Sequence, residues 1–433
     1  MERTYIKDAN QNIGKEILLK GFVHEMRDQS KIKFLLLRDK TGILQCITFA
    51  KDKFFKDVGK ISKESVLELT GEAVESKQAP DGVELKIKSY KILSEAESPL
   101  PIEINGKAEA SMPVRLDHRW LDLRNPKKLL IFKIWTLMEQ AMRDWWKEEG
   151  FLQVYSPKFM GAASESGAEL FEVEYFGKKA YLAQSPQFYK QMAMASGFEK
   201  IFEIGPVFRA NKSHTRRHDT EFTMIDMELS FIESHEDVMR AEESWIAYFI
   251  SKIKKEYGKE IKEVFGVNII VPTTPFPRIP MGEAQKLLAG QGYKGPKDDF
   301  DAEGEKMFSE IVKEKYGHEF VFVTEYPWSI RPFYHMKSET GETNSFDLIW
   351  KGTEITTGAQ REHRHKILRE QAIEKGLNPD SEGMKDYMSF FKYGCPPHGG
   401  FGLSPTRVLM LLLDINNVRE VTFLPRDTSR LTP

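Results

Sequence analysis

The sequence predicts an α+β chain in two parts, a small all-β barrel over residues 1–98 and a larger mixed domain over residues 126–433. Three observations point there. At 433 residues the chain exceeds one ordinary core. Its first hundred residues alternate short apolar runs with turn signals, and a helical stripe behind Pro126 then opens a stretch of irregularly alternating strands and helices. A 40% hydrophobic, 12% aromatic composition excludes wholesale disorder, and a formal net charge of −2 offers no global basic field to nucleic acid. The first hundred residues carry a slight excess of Lys and Arg, enough for a local nucleic-acid surface. No apolar run approaches the ~18 residues of a membrane span. Met1–Asn10 lacks the apolar stretch of a secretory signal, so a soluble, cytoplasmic protein without membrane contact is expected. Cys46 and Cys395 are too isolated for a disulfide framework or a cysteine-based zinc site.

Five strands are expected in the first part: Ile17 to Val23, Ile32 to Leu37, Ile43 to Phe49, Ser65 to Leu69 and Val83 to Lys88. Turns at Arg38–Gly42 and Ala79–Gly82 separate neighbouring runs. Five short strands in this length suggest a barrel of the OB type, whose strand face binds oligonucleotides. Ser98-Pro99-Leu100-Pro101 breaks the pattern, and the polar stretch over 99–125 reads as a hinge. Ile131, Ile134, Trp135, Met138, Met142 and Trp145 recur at helical spacing until Gly150, a stripe suited to a core or a dimer interface. A Lys-, Glu-, Gly- and Pro-richer segment near 255–325 reads as a helical insertion. No internal repeat, Walker loop or dinucleotide fingerprint is present.

Four segments of the second part put polar residues where a structural strand would not. Ser164-Glu165-Ser166-Gly167, between Gly161 and Ala168, is small and carries one acid, as a lid or an ordinary loop would. Gln184-Ser185-Pro186-Gln187 runs into Phe188-Tyr189-Lys190-Gln191. Gly205–Arg209, the basic turn Arg216-Arg217-His218 and the acidic run Glu221–Glu228 form a hairpin able to hold a polyphosphate. Phe346-Asp347, Gly352-Thr353-Glu354 and Gly358-Ala359-Gln360-Arg361 are followed by Gly399-Gly400-Phe401-Gly402 and Arg407.

Together these segments resemble the class II aminoacyl-tRNA synthetases, specifically the aspartyl type of archaea. Gly150-Phe151 with Ser156-Pro157 is similar to the family's motif 1, Phe208-Arg209 through Glu228 to motif 2, and Gly399 through Arg407 to motif 3. Arg419-Glu420 and Phe423–Asp427 resemble its tail. The resemblance implies an antiparallel catalytic sheet flanked by helices, an amino-terminal anticodon-binding OB domain and a homodimer that joins at the motif 1 proline. It implies ATP as substrate, with Arg209 on the α-phosphate, Phe222 and Arg407 sandwiching the adenine, and Arg217 with His218 facing the γ-phosphate. Asp347 and Glu354 would hold Mg²⁺, a cation of oxygen ligands and substrate phosphates. No side-chain nucleophile is needed, because the amino-acid carboxylate itself attacks the α-phosphorus.

The resemblance also names an amino-acid set. Arg361 and Lys190 match the pair that faces the substrate's side-chain carboxylate, while Glu165, Gln187 and Asp226 match residues around its α-amino group. Two buried cations facing a neutral amide would lose roughly 3–5 kcal/mol, so L-aspartate is expected over asparagine. In the barrel, Phe34 and Gln45 match the anticodon readers. His24, with Pro80 in a later loop, matches relatives that charge tRNA(Asn) as well as tRNA(Asp). Departures from the family pattern are Asn211 in motif 2, Ser404 and Thr406 in motif 3, Ala359 beside the substrate, and Thr428-Ser429 in the tail. They leave open an asparaginyl enzyme, or a paralogue that binds tRNA without charging it. His363, His365 and His398, among Arg361, Arg364 and Pro397, read as a phosphate or tRNA surface rather than a metal site.

Overall fold

The computed structural model describes residues 1–105, 109–162, 169–212 and 215–433. Its contacts divide into two compact units, Met1–Leu129 and Leu130–Pro433.

In the first unit, β1 (Glu16–Gln29), β2 (Ile32–Asp39), β3 (Gly42–Phe49), β4 (Val66–Glu75) and β5 (Val83–Ser94) close into a barrel of order β1-β2-β3-β5-β4, with the short helix α1 (Phe55–Val58) between β3 and β4. Alternation explains the closure: Leu35 and Leu37 of β2, Leu44 and Cys46 of β3 and Leu67 and Leu69 of β4 point inward and are buried. The five expected strands are all present, and β1, β4 and β5 run well beyond their apolar runs, because ladder hydrogen bonds extend past the buried positions. The stretch expected as a hinge contains two short helices, α2 (Met112–Asp117) and α3 (Arg119–Asp122), tied together by the buried ion pairs of Arg115 and Arg119 with Asp122.

The second unit opens with α4 (Pro126–Glu148), whose first turn spans the division between the units. It continues through β6 (Leu152–Gln153), β7 (Phe159–Met160), β8 (Glu172–Tyr175), β9 (Lys178–Leu182), α5 (Gln187–Ala195), β10 (Lys200–Phe208), β11 (Glu221–Ser230) and α6 (His235–Phe265). Then come β12 (Arg278–Pro280), α7 (Met281–Gly290), α8 (Ala302–Tyr316), β13 (Phe320–Thr324), β14 (Ser345–Trp350) and β15 (Thr353–Arg361). The unit ends with α9 (His365–Glu374), α10 (Lys385–Lys392), β16 (His398–Leu403), α11 (Pro405–Leu412) and α12 (Val418–Val421).

An eight-stranded sheet of order β12-β13-β14-β15-β16-β11-β10-β6 carries the unit. It is antiparallel from β13 to β10 and gains one parallel strand at each edge, which makes it mixed rather than purely antiparallel. The stretch near 255–325 includes the end of α6, α7 and α8, and also the two strands β12 and β13 of this sheet. The stripe of α4 faces inward: Ile131, Ile134, Met138 and Met142 are buried with Trp245, Phe249 and Phe401 in the unit's own core. Most of that stripe is therefore core, while Trp135 with Phe132 lines an open apolar pocket beside Phe423 and Leu424. Gly400 and Gly402 mark where strands crowd the centre. A Cβ on Gly400 would lie 2.0 Å from the Met227 carbonyl oxygen, and one on Gly402 would lie 2.1 Å from the Met224 side chain. Among the described residues, no helix is long and apolar enough to cross a membrane, and Cys46 and Cys395 are free.

Candidate active site

The β10–β11 hairpin, β15 and the β16–α11 junction converge on one cleft. Arg209, Arg217, His218, Phe222, Glu354 and Arg407 all line it, together with Glu169, Asn211, Met224, Ile355, Gly402 and Thr406. Six residues expected around one nucleotide, from the β10–β11 hairpin, β15 and α11, thus share a cavity. Arg407 donates to the Glu354 carbonyl at 2.8 Å and pairs with its carboxylate at 3.4 Å. The Arg209 guanidinium sits 5.6 Å from the centre of the Phe222 ring. Arg217 forms an ion pair with Glu305 of α8 and donates to the Gly352 carbonyl at 3.1 Å. His218 is pushed down to about 4, by burial first and then by Arg407, Arg209 and Arg217, so it is a neutral hydrogen-bonding group at physiological pH.

The departures in motif 3 have a local reason. Ser404 caps α11, its hydroxyl facing the Arg407 amide at 3.4 Å and the Thr406 hydroxyl at 3.0 Å, while Pro405 takes the first helical position. The tail pins the motif 2 loop. Buried Arg419 reaches Asp427 at 2.8 Å and the Thr215 carbonyl at 3.1 Å, and Thr220 donates its backbone N–H to the Arg426 carbonyl.

Deeper in the sheet, two cations and two carboxylates pair with one another. Lys190 of α5 lies 2.9 Å from Asp226 and 3.3 Å from Glu228, neighbours on the inward face of β11. Arg361 donates through Nε to Glu228 at 3.1 Å, through one terminal nitrogen to the Gly400 carbonyl at 2.9 Å and through the other to His335 Nε2 at 3.0 Å. Burial alone would push Glu228 up, but Arg361 and then Lys190 outweigh it and hold the carboxyl below its usual value. For Asp226 burial outweighs Lys190, and its value is raised. Gln187 is buried and bonded to Gln191, whose amide reaches His398. Glu165 lies outside the described residues, as does the whole Ser164–Gly167 segment. The charge of Lys190 and Arg361 is shared with Asp226 and with Glu228. One expectation needs correction here. His398 is fully buried against Gln191 and the Pro396 carbonyl, so it belongs to no phosphate surface.

Asp347 and Glu354 stand on adjacent strands, close enough that Asp347, after burial, is the main influence raising Glu354 to about 7. Arg331 pairs with Asp347 at 2.7 Å and stacks 3.7 Å from the Tyr326 ring. The second Asp347 oxygen is buried and unpartnered. No cluster of three or more metal-binding side chains occurs among the described residues. Two carboxylates with an open oxygen fit a Mg²⁺ ion whose remaining ligands are phosphates and water.

On the barrel, Phe34 and Gln45 share the outer face, Phe34 opposite Ile47 and Gln45 opposite Leu36 across the same strand pair. Gln45 is held by Glu84 at 2.8 Å. His24 sits at a bulge of β1, its Nδ1 2.8 Å from Arg38 and 3.0 Å from Asn105, and Arg38 is buried against Glu64. Pro80 is exposed in the turn between β4 and β5.

Sequence reasoning missed the roles of Glu228, Arg331, Glu305 and His335. Glu228 had a signal, since it is two residues from Asp226 on a strand and so shares its face. Glu305 reads as an ordinary solvated helix position. Arg331 and His335 lie in the irregular stretch before β14, where no periodicity assigns a face.

Residues 111–428 match the family of tRNA synthetases class II (D, K and N), and residues 17–93 match the OB-fold nucleic acid binding domain. An aspartate–tRNA(Asp/Asn) ligase of Methanopyrus kandleri is 45% identical, with 97% of this chain and 96% of that one covered. An aspartate–tRNA(Asp) ligase of Pyrococcus abyssi is 43% identical, with 97% of each covered. Among solved structures, an asparaginyl-tRNA synthetase of Pyrococcus horikoshii bound to asparaginyl-adenylate superposes with a TM-score of 0.93 at 32% identity over all of both chains. An aspartyl-tRNA synthetase of Entamoeba histolytica gives 0.89 at 31%, over all of this chain and 93% of that one. A family match over most of the chain and relatives aligned over nearly all of it lead to one conclusion: the chain belongs to the class II tRNA synthetases of the D, K and N group.

Proposed function

We propose that this protein is an ATP-dependent aspartate–tRNA ligase that aspartylates tRNA(Asp) and also tRNA(Asn). One observation carries the choice of amino acid: Lys190, Arg361, Asp226 and Glu228 meet in a buried network on the strands beside Gly400 and Gly402, of which Gly402 lines the cleft. Lys190 and Arg361 present only N–H donors there. A substrate carboxylate accepts from them, whereas an amide turns its NH₂ donor against theirs. Discrimination so based rests on donor geometry and survives the overall charge balance. Curated relatives at 40–45% identity carry aspartate in their names.

In the first step a carboxylate oxygen of aspartate attacks the α-phosphorus of ATP, the bond to the bridging oxygen breaks, and pyrophosphate leaves. Arg209 holds the α-phosphate, while Phe222 and Arg407 hold the adenine between ring and guanidinium. Arg217 meets the γ-phosphate, exchanging the Glu305 carboxylate for a phosphate oxygen, and neutral His218 adds a hydrogen bond. Asp347 and Glu354 would hold Mg²⁺, which when bound would supply positive charge against the phosphates. In the second step the terminal ribose hydroxyl of tRNA attacks the acyl carbon and AMP leaves. Asn211 and Thr406 remove two acids from the cleft, yet its arginines remain.

The outer face of the barrel reads the anticodon, with Phe34 stacking a base at roughly 1–3 kcal/mol and Gln45 hydrogen-bonding one. His24 leaves room for either pyrimidine at the third position. The cytoplasm is its compartment, and a homodimer is its state. Exposed Tyr155, Phe159, Tyr175 and Phe176 flank Pro157 with 89% of Phe176 accessible, an apolar patch of the kind a partner covers. Light scattering at the 50.0 kDa monomer mass would contradict the dimer. Charging of transcribed tRNAs tests the rest. The two tRNAs should be aspartylated with efficiencies within about tenfold, and His24→Trp should depress tRNA(Asn) selectively. A hundredfold native preference for tRNA(Asp) contradicts the relaxed reading.

A further inference from the structure

His335 stands in the irregular stretch before β14, and its surroundings are not those of a core filler. Residues 334–336 run antiparallel to the end of β15: Glu362 donates to the Tyr334 carbonyl at 2.9 Å, and Met336 donates to that of Gln360 at 3.0 Å. His335 pairs directly with Arg361 across this bridge, which puts the two side chains on one face. Gln371 of α9 fixes the backbone from behind, donating to the carbonyls of Phe333 at 2.6 Å and His335 at 2.9 Å. The imidazole itself is 2% exposed.

Its tautomer follows from chemistry. An arginine only donates, so Nε2, 3.0 Å from the Arg361 guanidinium, carries the lone pair and Nδ1 carries the proton. That Nδ1 is buried without a hydrogen-bond partner among the described residues. A buried unmade hydrogen bond works against folding, so packing alone does not explain an imidazole here. The contact with Arg361 does. Burial, then Arg361, Arg331 and Lys190, hold His335 neutral, which keeps Nε2 an acceptor throughout the physiological range.

We infer that His335 is a positioning residue for aspartate specificity, a neutral acceptor that fixes the plane of Arg361 without adding a negative charge. Glu228 and the Gly400 carbonyl fix the other edge of the guanidinium. Lys190 and Arg361 are already matched by Asp226 and Glu228. A third carboxylate at position 335 would oppose the incoming substrate carboxylate, while an apolar side chain would let the guanidinium turn. The inference rests on the reading of Arg361 as the partner of the substrate's side-chain carboxylate.

The test is steady-state ATP–pyrophosphate exchange with separate titrations of aspartate and ATP, alongside thermal melting. His335→Leu should raise KM for aspartate tenfold or more, with kcat and KM for ATP within threefold of the native enzyme. His335→Gln, which restores a neutral acceptor, should return KM for aspartate to within threefold. Unchanged aspartate KM in His335→Leu overturns the inference, as does a loss in His335→Gln as large as in His335→Leu. If His335→Leu does not fold, His335→Glu decides, since an unchanged aspartate KM with an added anion contradicts the account. Arg361→Leu in the same assay separates the two layers. Retained aspartate activation there sinks the reading of Arg361, whereas its loss with silent His335 variants sinks only the inference.

Discussion

The two ends of the cleft handle charge in opposite ways. At the nucleotide end the charged groups stay within reach of solvent: the Arg217, Arg407 and Glu354 side chains are 26%, 17% and 36% exposed. Their partners there, Glu305 and the Gly352 and Glu354 carbonyls, are groups a phosphate could displace. At the amino-acid end Lys190, Asp226, Glu228 and Arg361 are each at most 3% exposed, and they share one closed network. An open end suits a large polyanion that brings its own counter-ions. A closed, balanced end suits a small ligand distinguished by where its donors and acceptors fall. Burial strengthens each interaction at the closed end and makes a missing partner expensive.

That contrast predicts unequal damage. The largest effect belongs to Arg361→Leu, which leaves Glu228 and the substrate carboxylate short of a buried cation. Exchange supported by aspartate should fall by about two to three powers of ten or more, from roughly 3–5 kcal/mol, while ATP binding by titration calorimetry stays within threefold. Equal losses for both ligands would erase the contrast. Next comes Arg217→Ala at the open end. Removing one charge-assisted contact of about 1.5–3 kcal/mol should raise KM for ATP by roughly ten- to a hundredfold and leave KM for aspartate nearly unchanged.

The smallest effect sharpens what burial does without a cation. Glu242 of α6 is fully buried, accepts only from Thr356 at 2.6 Å, and is pushed up to about 8, by burial first and then by Glu243 and Asp347. Glu228, equally buried, is held low by two cations. The folded state therefore keeps the Glu242 proton across pH 4.5–8 while the unfolded chain releases it, so this group's contribution to stability falls as pH rises through that window. Glu242→Gln should flatten the fall, raising the melting temperature at pH 8 by a few degrees relative to native while changing little at pH 5. A native protein whose melting temperature keeps the same pH slope after the substitution would show that the Glu242 carboxyl is already ionised.

The same contrast separates what the sequence could reveal from what it could not. The barrel strands and α4 were readable because apolar alternation at period 2 and a stripe at period 3.6 report directly on burial. The residues that line the cleft could be picked out because they cluster in short motifs on a hairpin and on strand ends, while their separate roles are what the family resemblance implies. For the stripe of α4, periodicity told that a face is covered but not by what: it left core and interface open, and Ile131, Ile134, Met138 and Met142 are core. The balancing charges escaped for a topological reason. Glu228, His335 and Arg331 meet Arg361 and Asp347 only through strand pairing across 16 to 133 residues of separation. Glu165 remains an expectation, outside the described residues.

The central claim is that the closed end selects aspartate by the placement of its donors rather than by net charge. ATP–pyrophosphate exchange of the native enzyme with aspartate and with asparagine, each over a full concentration series, tests it most directly. Aspartate should support robust exchange, with asparagine at least about a hundredfold poorer in kcat/KM, a difference near 2.7 kcal/mol. Asparagine exchange equal to or stronger than that of aspartate would contradict the account.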